Sequence, residues 1–208
     1  MKQSNGRLRN IVFDFGGVLV HFEPARFLAG RGDHVDDIDH IRRCVYDHAD
    51  WQNFDCGRLS METLAERAAP RLGWSQADTR RLLDETLDAI VPIEGMPAFA
   101  ARLRDSGYDI YLLSNMPADF HPHFVENTPY WDIFTGEIVS GHVDLLKPDP
   151  AIYKALLDKY DLKAAETVFV DDRPENIEAA RGLGMHGLLC DNPAQCRSDL
   201  TTLLEIQT

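Results

Sequence analysis

Six side chains in four places could do chemistry together: Asp14, Ser114 with Asn115, Lys147, and Asp171 with Asp172. Asp14 ends the apolar run Asn10-Ile11-Val12-Phe13. Ser114 and Asn115 follow Ile110-Tyr111-Leu112-Leu113, and the acidic pair follows Val168-Phe169-Val170. Lys147 lies in Leu145-Leu146-Lys147-Pro148-Asp149-Pro150, a turn that offers one cation. Burying an unpaired charge is costly, so a carboxylate at a buried strand end has a metal, a cation or a chemical task. In open α/β sheets, ligands bind beyond the carboxyl ends of the strands, which is where these groups stand.

The elements that must hold them read as follows. The apolar runs are short buried strands, and Gly16-Gly17 is a tight turn leaving the first. From Asp109 onward, strands alternate with helices. Pro97 to Ser106 reads as a helix with Pro in its first turn and Gly107 as its C-cap. Ile152, Tyr153, Leu156, Leu157 and Tyr160 have helical spacing, Pro174 to Leu183 follows the acidic pair, and Leu188-Leu189-Cys190 is a further short strand. This alternation predicts a parallel sheet covered by helices on both faces, an α/β fold. From about His21 to Val91 the pattern is helical instead. Ser60 caps a helix whose Met61, Leu64, Ala65 and Ala68 share one face, and Ser75 caps another carrying Leu82, Leu83 and Leu87. The expected division is an α/β core of residues 1–20 and 92–208 with a small helical module, residues 21–91, inserted after the first strand.

Composition narrows the partners. With 34 acidic and 21 basic residues, the net charge of −13 argues against nonspecific nucleic-acid binding and against an anionic membrane surface. It leaves room for a phosphate substrate, because a lysine, backbone N–H groups and a metal reverse the potential within one cleft. Cys44, Cys56, Cys190 and Cys196 form no C-x-x-C pair and fit no zinc spacing, so thiols in a reducing compartment are expected. No run approaches transmembrane length. The polar start, Met1 to Arg7, leads directly into the first strand and is too short for a signal peptide, so a cytoplasmic protein is expected.

The ordered set of carboxylate, Ser/Asn, lysine and acidic pair resembles the haloacid dehalogenase-like hydrolase superfamily, from about Ile11 to Cys190. The stretches Phe13-Asp14-Phe15-Gly16-Gly17-Val18-Leu19, Lys147-Pro148-Asp149-Pro150 and Phe169-Val170-Asp171-Asp172-Arg173-Pro174-Glu175-Asn176-Ile177 look most like its sugar-phosphate phosphatase branch. The resemblance implies a Rossmann-like α/β core and a helical cap that closes over the site and chooses the substrate. It implies a Mg²⁺-dependent phosphomonoester hydrolase acting on a small phosphorylated metabolite, in particular a sugar phosphate. Asp14 would be nucleophile and metal ligand, forming an aspartyl phosphate. Asp172 would be the second direct carboxylate ligand, Asp171 would bind through water or hold the site, and the Gly16 carbonyl would be the third protein ligand. Ser114 and the backbone N–H of Asn115 would hold phosphate oxygens, and Lys147 would bridge Asp14 and the phosphate.

One position departs from the family. Most of its phosphatases carry a second Asp two residues after the nucleophile, which protonates the leaving oxygen and later activates water. Here that residue is Gly16. Its absence fits a slow enzyme, a good leaving group or a donor borrowed from the cap, with His21 and a substrate hydroxyl as candidates. It also keeps two rivals open, a metal-free 2-haloacid dehalogenase and a phosphate-binding regulatory module without turnover. The Asp171-Asp172 pair opposes the first, since two uncompensated carboxylates repel an anionic substrate.

Other polar and aromatic groups have plainer readings. His121 and His123 flank Pro122 without a third metal ligand and read as surface histidines. Trp51, Phe54 and Trp74 read as core of the helical module. Asp55-Cys56-Gly57-Arg58 is a turn before a helix that faces the substrate in related caps, which makes Arg58 a specificity candidate. Asp33, Asp36, Asp37 and Asp39 read as a solvated acidic face rather than a calcium loop.

Overall fold

The computed structural model describes residues 7–30 and 38–204; Asp33, Asp36 and Asp37 lie outside this range. Five parallel strands form the main sheet: β1 (Asn10–Phe13), β4 (Asp109–Ser114), β5 (Gly136–Val139), β6 (Thr167–Asp171) and β7 (His186–Leu189). Their order is β5-β4-β1-β6-β7. The chain therefore builds outward on one side of β1 and then returns to the other. The reversal makes a crevice at the carboxyl end of β1. The α/β fold expected from the sequence is the fold observed.

Alternation along the strands explains why both faces are covered. Ile11, Phe13, Ile110, Leu112, Val168 and Val170 join one apolar cluster. Val12, Tyr111, Leu113 and Phe169 join another with Ile152, Tyr153, Leu156 and Ile177. The second cluster comes from helices α9 (Pro150–Lys159) and α10 (Pro174–Gly182). The first face takes α6 (Met96–Asp105) and α11 (Pro193–Leu203). Each large apolar side chain buried here contributes about 1.5–3 kcal/mol.

Between β1 and α6 the described residues form β2 (Val20–His21), five helices and β3 (Val91–Pro92). The helices are α1 (Pro24–Gly30), α2 (Ile38–Cys44), α3 (Ala49–Asp55), α4 (Met61–Leu72) and α5 (Gln76–Asp88). Ser60 Oγ accepts from the Thr63 N–H and Ser75 Oγ from the Asp78 N–H, satisfying otherwise orphaned donors at the starts of α4 and α5. Leu64, Leu82 and Leu83 are fully buried where these helices pack. β2 and β3 pair antiparallel, and the Ile93 N–H donates to the Leu19 carbonyl at 2.9 Å. Entry and exit of the helical insert thus share one narrow neck beside the end of β1. The remaining helices, α7 (His121–Asn127) and α8 (Ser140–Val143), follow β4 and β5. Among the described residues no helix is long and apolar enough to cross a membrane.

Candidate active site

Register sets the site. Phe13 lies level with Leu112 on one side and Val170 on the other. The next residue, Asp14, donates its N–H to the Val170 carbonyl at 2.9 Å. Ser114 and Asp171 close their own strands on the same edge. Parallel pairing therefore delivers three distant segments to one place. The loop leaving Asp14 is tight: the Phe15 N–H donates to Asp14 Oδ1 at 2.7 Å, and the Gly17 N–H donates to the Val20 carbonyl at 2.8 Å. Gly17 has φ +76°, and a Cβ there would collide with the Asp172 carboxylate. Glycine is required at that position by backbone conformation and by the approach of the acidic pair.

Lys147 Nζ bridges Asp14 Oδ1 and Asp171 Oδ2, each at 2.7 Å, with its side chain 1% exposed. How firmly the lysine is held is not visible in the residue pattern. Asn115 accepts from the Lys147 N–H at 2.9 Å and donates to the Lys147 carbonyl at 3.1 Å, so its side chain clamps the lysine backbone. The ammonium lies 5.4 Å from the Phe169 ring centre. The Lys147–Pro148 peptide is cis. Asp171 is saturated: besides Lys147 it accepts from the Arg173 N–H at 2.9 Å and from Asn176 Nδ2 at 2.9 and 3.0 Å. Buried Asn176 was not singled out by sequence, because an amide in a helix carries no signal until its partner is known.

Carboxylate oxygens of Asp14, Asp171 and Asp172 lie within 4.8 Å of one another. Burial pushes the Asp14 carboxyl up to about 7 against the pull of Lys147, with Asp171 and Asp172 adding to the rise. Partial burial and the neighbouring Asp171 raise Asp172 as well. Three acids meet one lysine here, so charge is left over. An all-oxygen set with surplus negative charge suits a hard divalent ion such as Mg²⁺. With Asp171 committed to Lys147 and Asn176, the carboxylates left to hold such an ion are Asp14 and Asp172.

Beside this cluster lies a cavity of about 70 Å³. Gly16, Ser114, Asn115 and Asp55 line its polar side, and Phe15, Val20, Phe22, Trp51, Ile90, Phe120 and Phe124 are among its apolar walls. Trp51 and Phe54 are buried in the core, as expected, and Trp51 also faces the cavity. The structure brings neither Arg58 nor His21 to it. Arg58 Nε pairs with Asp144 Oδ1 at 2.5 Å, and His21 Nδ1 lies 3.2 Å from Glu23 Oε1. His121 lies mostly buried, 2.8 Å from Glu137 and 3.2 Å from His142, while His123 packs edge-on against Phe124.

Comparison with known proteins gives the family and the fold. A sesquiterpene phosphatase of Aspergillus oryzae is 30% identical over 89% of this chain and 91% of its own. A D-ribitol-5-phosphate phosphatase of Bacteroides thetaiotaomicron is 28% identical over 95% of this chain and 98% of its own. A haloacid dehalogenase family enzyme of the same bacterium, solved with magnesium and inorganic phosphate, shares the fold with a TM-score of 0.68 at 19% identity, covering 88% of this chain and 93% of that one. Residues 8–184 match the haloacid dehalogenase-like hydrolase family. The chain belongs to that family, as a phosphatase-like hydrolase.

Proposed function

We propose that this protein is a Mg²⁺-dependent phosphomonoester hydrolase for a small phosphorylated metabolite, working through an aspartyl phosphate on Asp14. The observation that carries the reading is the Asp14–Lys147–Asp171 bridge with Asp172 in reach of the same cation. A carboxylate repels a phosphate ester, so attack needs local positive charge. Bound Mg²⁺, held by Asp14, Asp172 and the Gly16 carbonyl, would neutralise part of that charge. Lys147 opposes the rise that burial imposes on the Asp14 carboxyl and would face the phosphoryl group. Ser114 and the Asn115 N–H, at the carboxyl end of β4, are placed to hold phosphate oxygens. Asn115 also fixes Lys147, and Asn176 fixes Asp171, so the constellation is set before substrate arrives.

Residues 1–20 and 92–208 act as the α/β core and 21–91 as the cap. The walls of the cavity bear on the substrate. Sugar hydroxyls set against Phe22, Trp51, Ile90 and Phe120 would lose water without gaining partners. We favour the phosphate ester of an apolar alcohol over a sugar phosphate, a direction that the sesquiterpene phosphatase relative shares. The net charge of −13 argues against a nucleic acid or an anionic membrane surface and leaves room for a small phosphorylated substrate. The test is hydrolysis of p-nitrophenyl phosphate with Mg²⁺, with chelator, and by Asp14→Asn. The reading expects turnover in the first case only. Hydrolysis undiminished by chelator would reject the Mg²⁺-dependent reading.

A further inference from the structure

We propose that Asp55, at the end of α3 in the helical insert, is the catalytic acid and base of this site, supplying from across the cavity the carboxyl group that Gly16 lacks. The inference rests on the phosphatase reading above.

Its position, its anchoring and its lack of a partner all point to that role. Asp55 lines the same cavity as Gly16, Ser114 and Asn115, close enough to Asp14 for its charge to act on the Asp55 carboxyl. Its backbone is pinned to the core. Fully buried Ser140 donates to the Asp55 carbonyl at 2.6 Å and accepts from the Met116 N–H at 2.8 Å, two residues beyond Ser114. The turn that follows is locked as well. Gly57 has φ +75° and lies so close to the Gly141 carbonyl that a Cβ would collide with it, and Arg58 pairs with Asp144. The Asp55 carboxylate itself accepts no hydrogen bond and forms no ion pair with any described residue. Of the other acids, Asp14 is committed to Lys147, Asp171 to Lys147 and Asn176, and Asp172 lies with these two where a cation would be held. Burial, and then the charge of Asp14, push the Asp55 carboxyl well above the ordinary range, the state a proton donor needs.

The chemistry balances. An Asp14 oxygen forms a bond to phosphorus as the ester P–O bond breaks. The electron pair of that bond goes to the ester oxygen, which takes the Asp55 proton and leaves as the alcohol. In the second half, water attacks the aspartyl phosphate, giving its proton to the Asp55 carboxylate. The bond between phosphorus and the Asp14 oxygen breaks, phosphate leaves and both carboxyl groups return to their starting states.

The experiment compares benzyl phosphate, whose alkoxide must be protonated, with p-nitrophenyl phosphate, whose phenolate need not be. With Mg²⁺ present, Asp55→Asn and Asp55→Ser are expected to lower kcat on benzyl phosphate by about 10²–10⁴-fold, with a far smaller loss on p-nitrophenyl phosphate. The second variant covers the chance that the first does not fold. A Cβ at Gly16 would meet only Phe22 Cβ, at 3.4 Å, so a side chain can be added there. Gly16→Asp in the Asp55→Asn background is expected to recover part of the benzyl activity. An equal loss on both substrates would mean that Asp55 only supports the cap turn, and no loss on benzyl phosphate would remove it from the reaction; either overturns the assignment. If wild type cleaves neither ester, the phosphatase reading fails and Asp55 falls with it. If wild type cleaves both, only the Asp55 assignment is at stake.

Discussion

Two buried acids show how differently this molecule treats negative charge. Asp50, in the first turn of α3, lies 2.7 Å from Arg71, 3.4 Å from Arg67 and 3.5 Å from His48. Burial raises its carboxyl, but the Arg71 hydrogen bond and charge, then His48 and Arg67, outweigh that and hold it below its usual value. Asp14 is as buried, yet it shares one lysine with Asp171 and sits beside Asp172, and its carboxyl rises to about 7. Where an acid only has to join α3 to α4, the fold supplies cations in excess. At the carboxyl edge of the sheet it supplies too few. Unbalanced charge held in a rigid frame costs stability, and that cost marks the place where a ligand completes the structure.

Substitution should separate the two. Asp14→Asn is expected to cut turnover by more than about 10⁴-fold. It should also raise the stability of the ion-free protein, because one of three crowded acids is gone. Asp50→Asn should leave turnover within about twofold and lower stability by about 1–3 kcal/mol, since Arg71 and Arg67 lose their partner. Denaturant melts in chelator read both. Stability changes of the same sign would break the contrast.

Lys147→Met should come next, with a loss of about 10²–10³-fold in kcat and lower stability, because Asp14 and Asp171 then face each other without a cation. Thermal melts of the variant with added Mg²⁺ check the cause: the ion should restore part of the stability and little of the rate.

The pH trends should oppose each other. An unfolded Asp14 ionises near 3.8 and the folded one at about 7. Between those values the folded state holds the extra proton, so this group makes the ion-free protein less stable as pH rises from about 4 to about 7. For Asp50, whose folded value is depressed, the contribution is present above about 3.8 and disappears as pH falls below it. Bound Mg²⁺ favours the ionised Asp14, so its stabilising effect should be larger near about pH 8 than near about pH 5. Melting temperatures across that range, with and without the ion, measure it, and a Mg²⁺ effect independent of pH would contradict the assignment. The smallest change is expected at the surface. Arg58→Ala breaks an exposed pair with Asp144, contributing about 0–1 kcal/mol, and should lower kcat slightly with little change in KM, because the turn carrying Asp55 loosens.

Much of this was legible in the sequence because strand ends carry their own punctuation. Apolar runs closing on Asp14, Ser114 and Asp171, with Lys147 between them, announced both the parallel sheet and the groups at its edge. Ser60 and Ser75 announced α4 and α5 because a hydroxyl three residues before an unpaired N–H has a local role. β5 was missed: Gly136 and Glu137 interrupt the apolar signal of a strand at the sheet edge, where only Ile138 and Val139 are buried. Asn176, Ser140 and the clamp from Asn115 were missed for another reason. Their roles lie in partners 5, 24 or more, and 32 residues away, and no spacing rule encodes such pairs. Arg58 drew attention as a charge in a turn, but Asp144 holds it outside the cavity, and the quieter Asp55 at the start of the same turn faces inward.

The central claim is that Asp14 attacks phosphorus once its surplus charge has been met by a divalent ion. It is tested most directly by acid-quenching a single turnover of p-nitrophenyl phosphate and mapping the products by peptide mass spectrometry. The account predicts one phosphoryl group on Asp14 when Mg²⁺ is present and none in chelator or in Asp14→Asn. Turnover with Asp14 never modified, or modified equally without the ion, would contradict it.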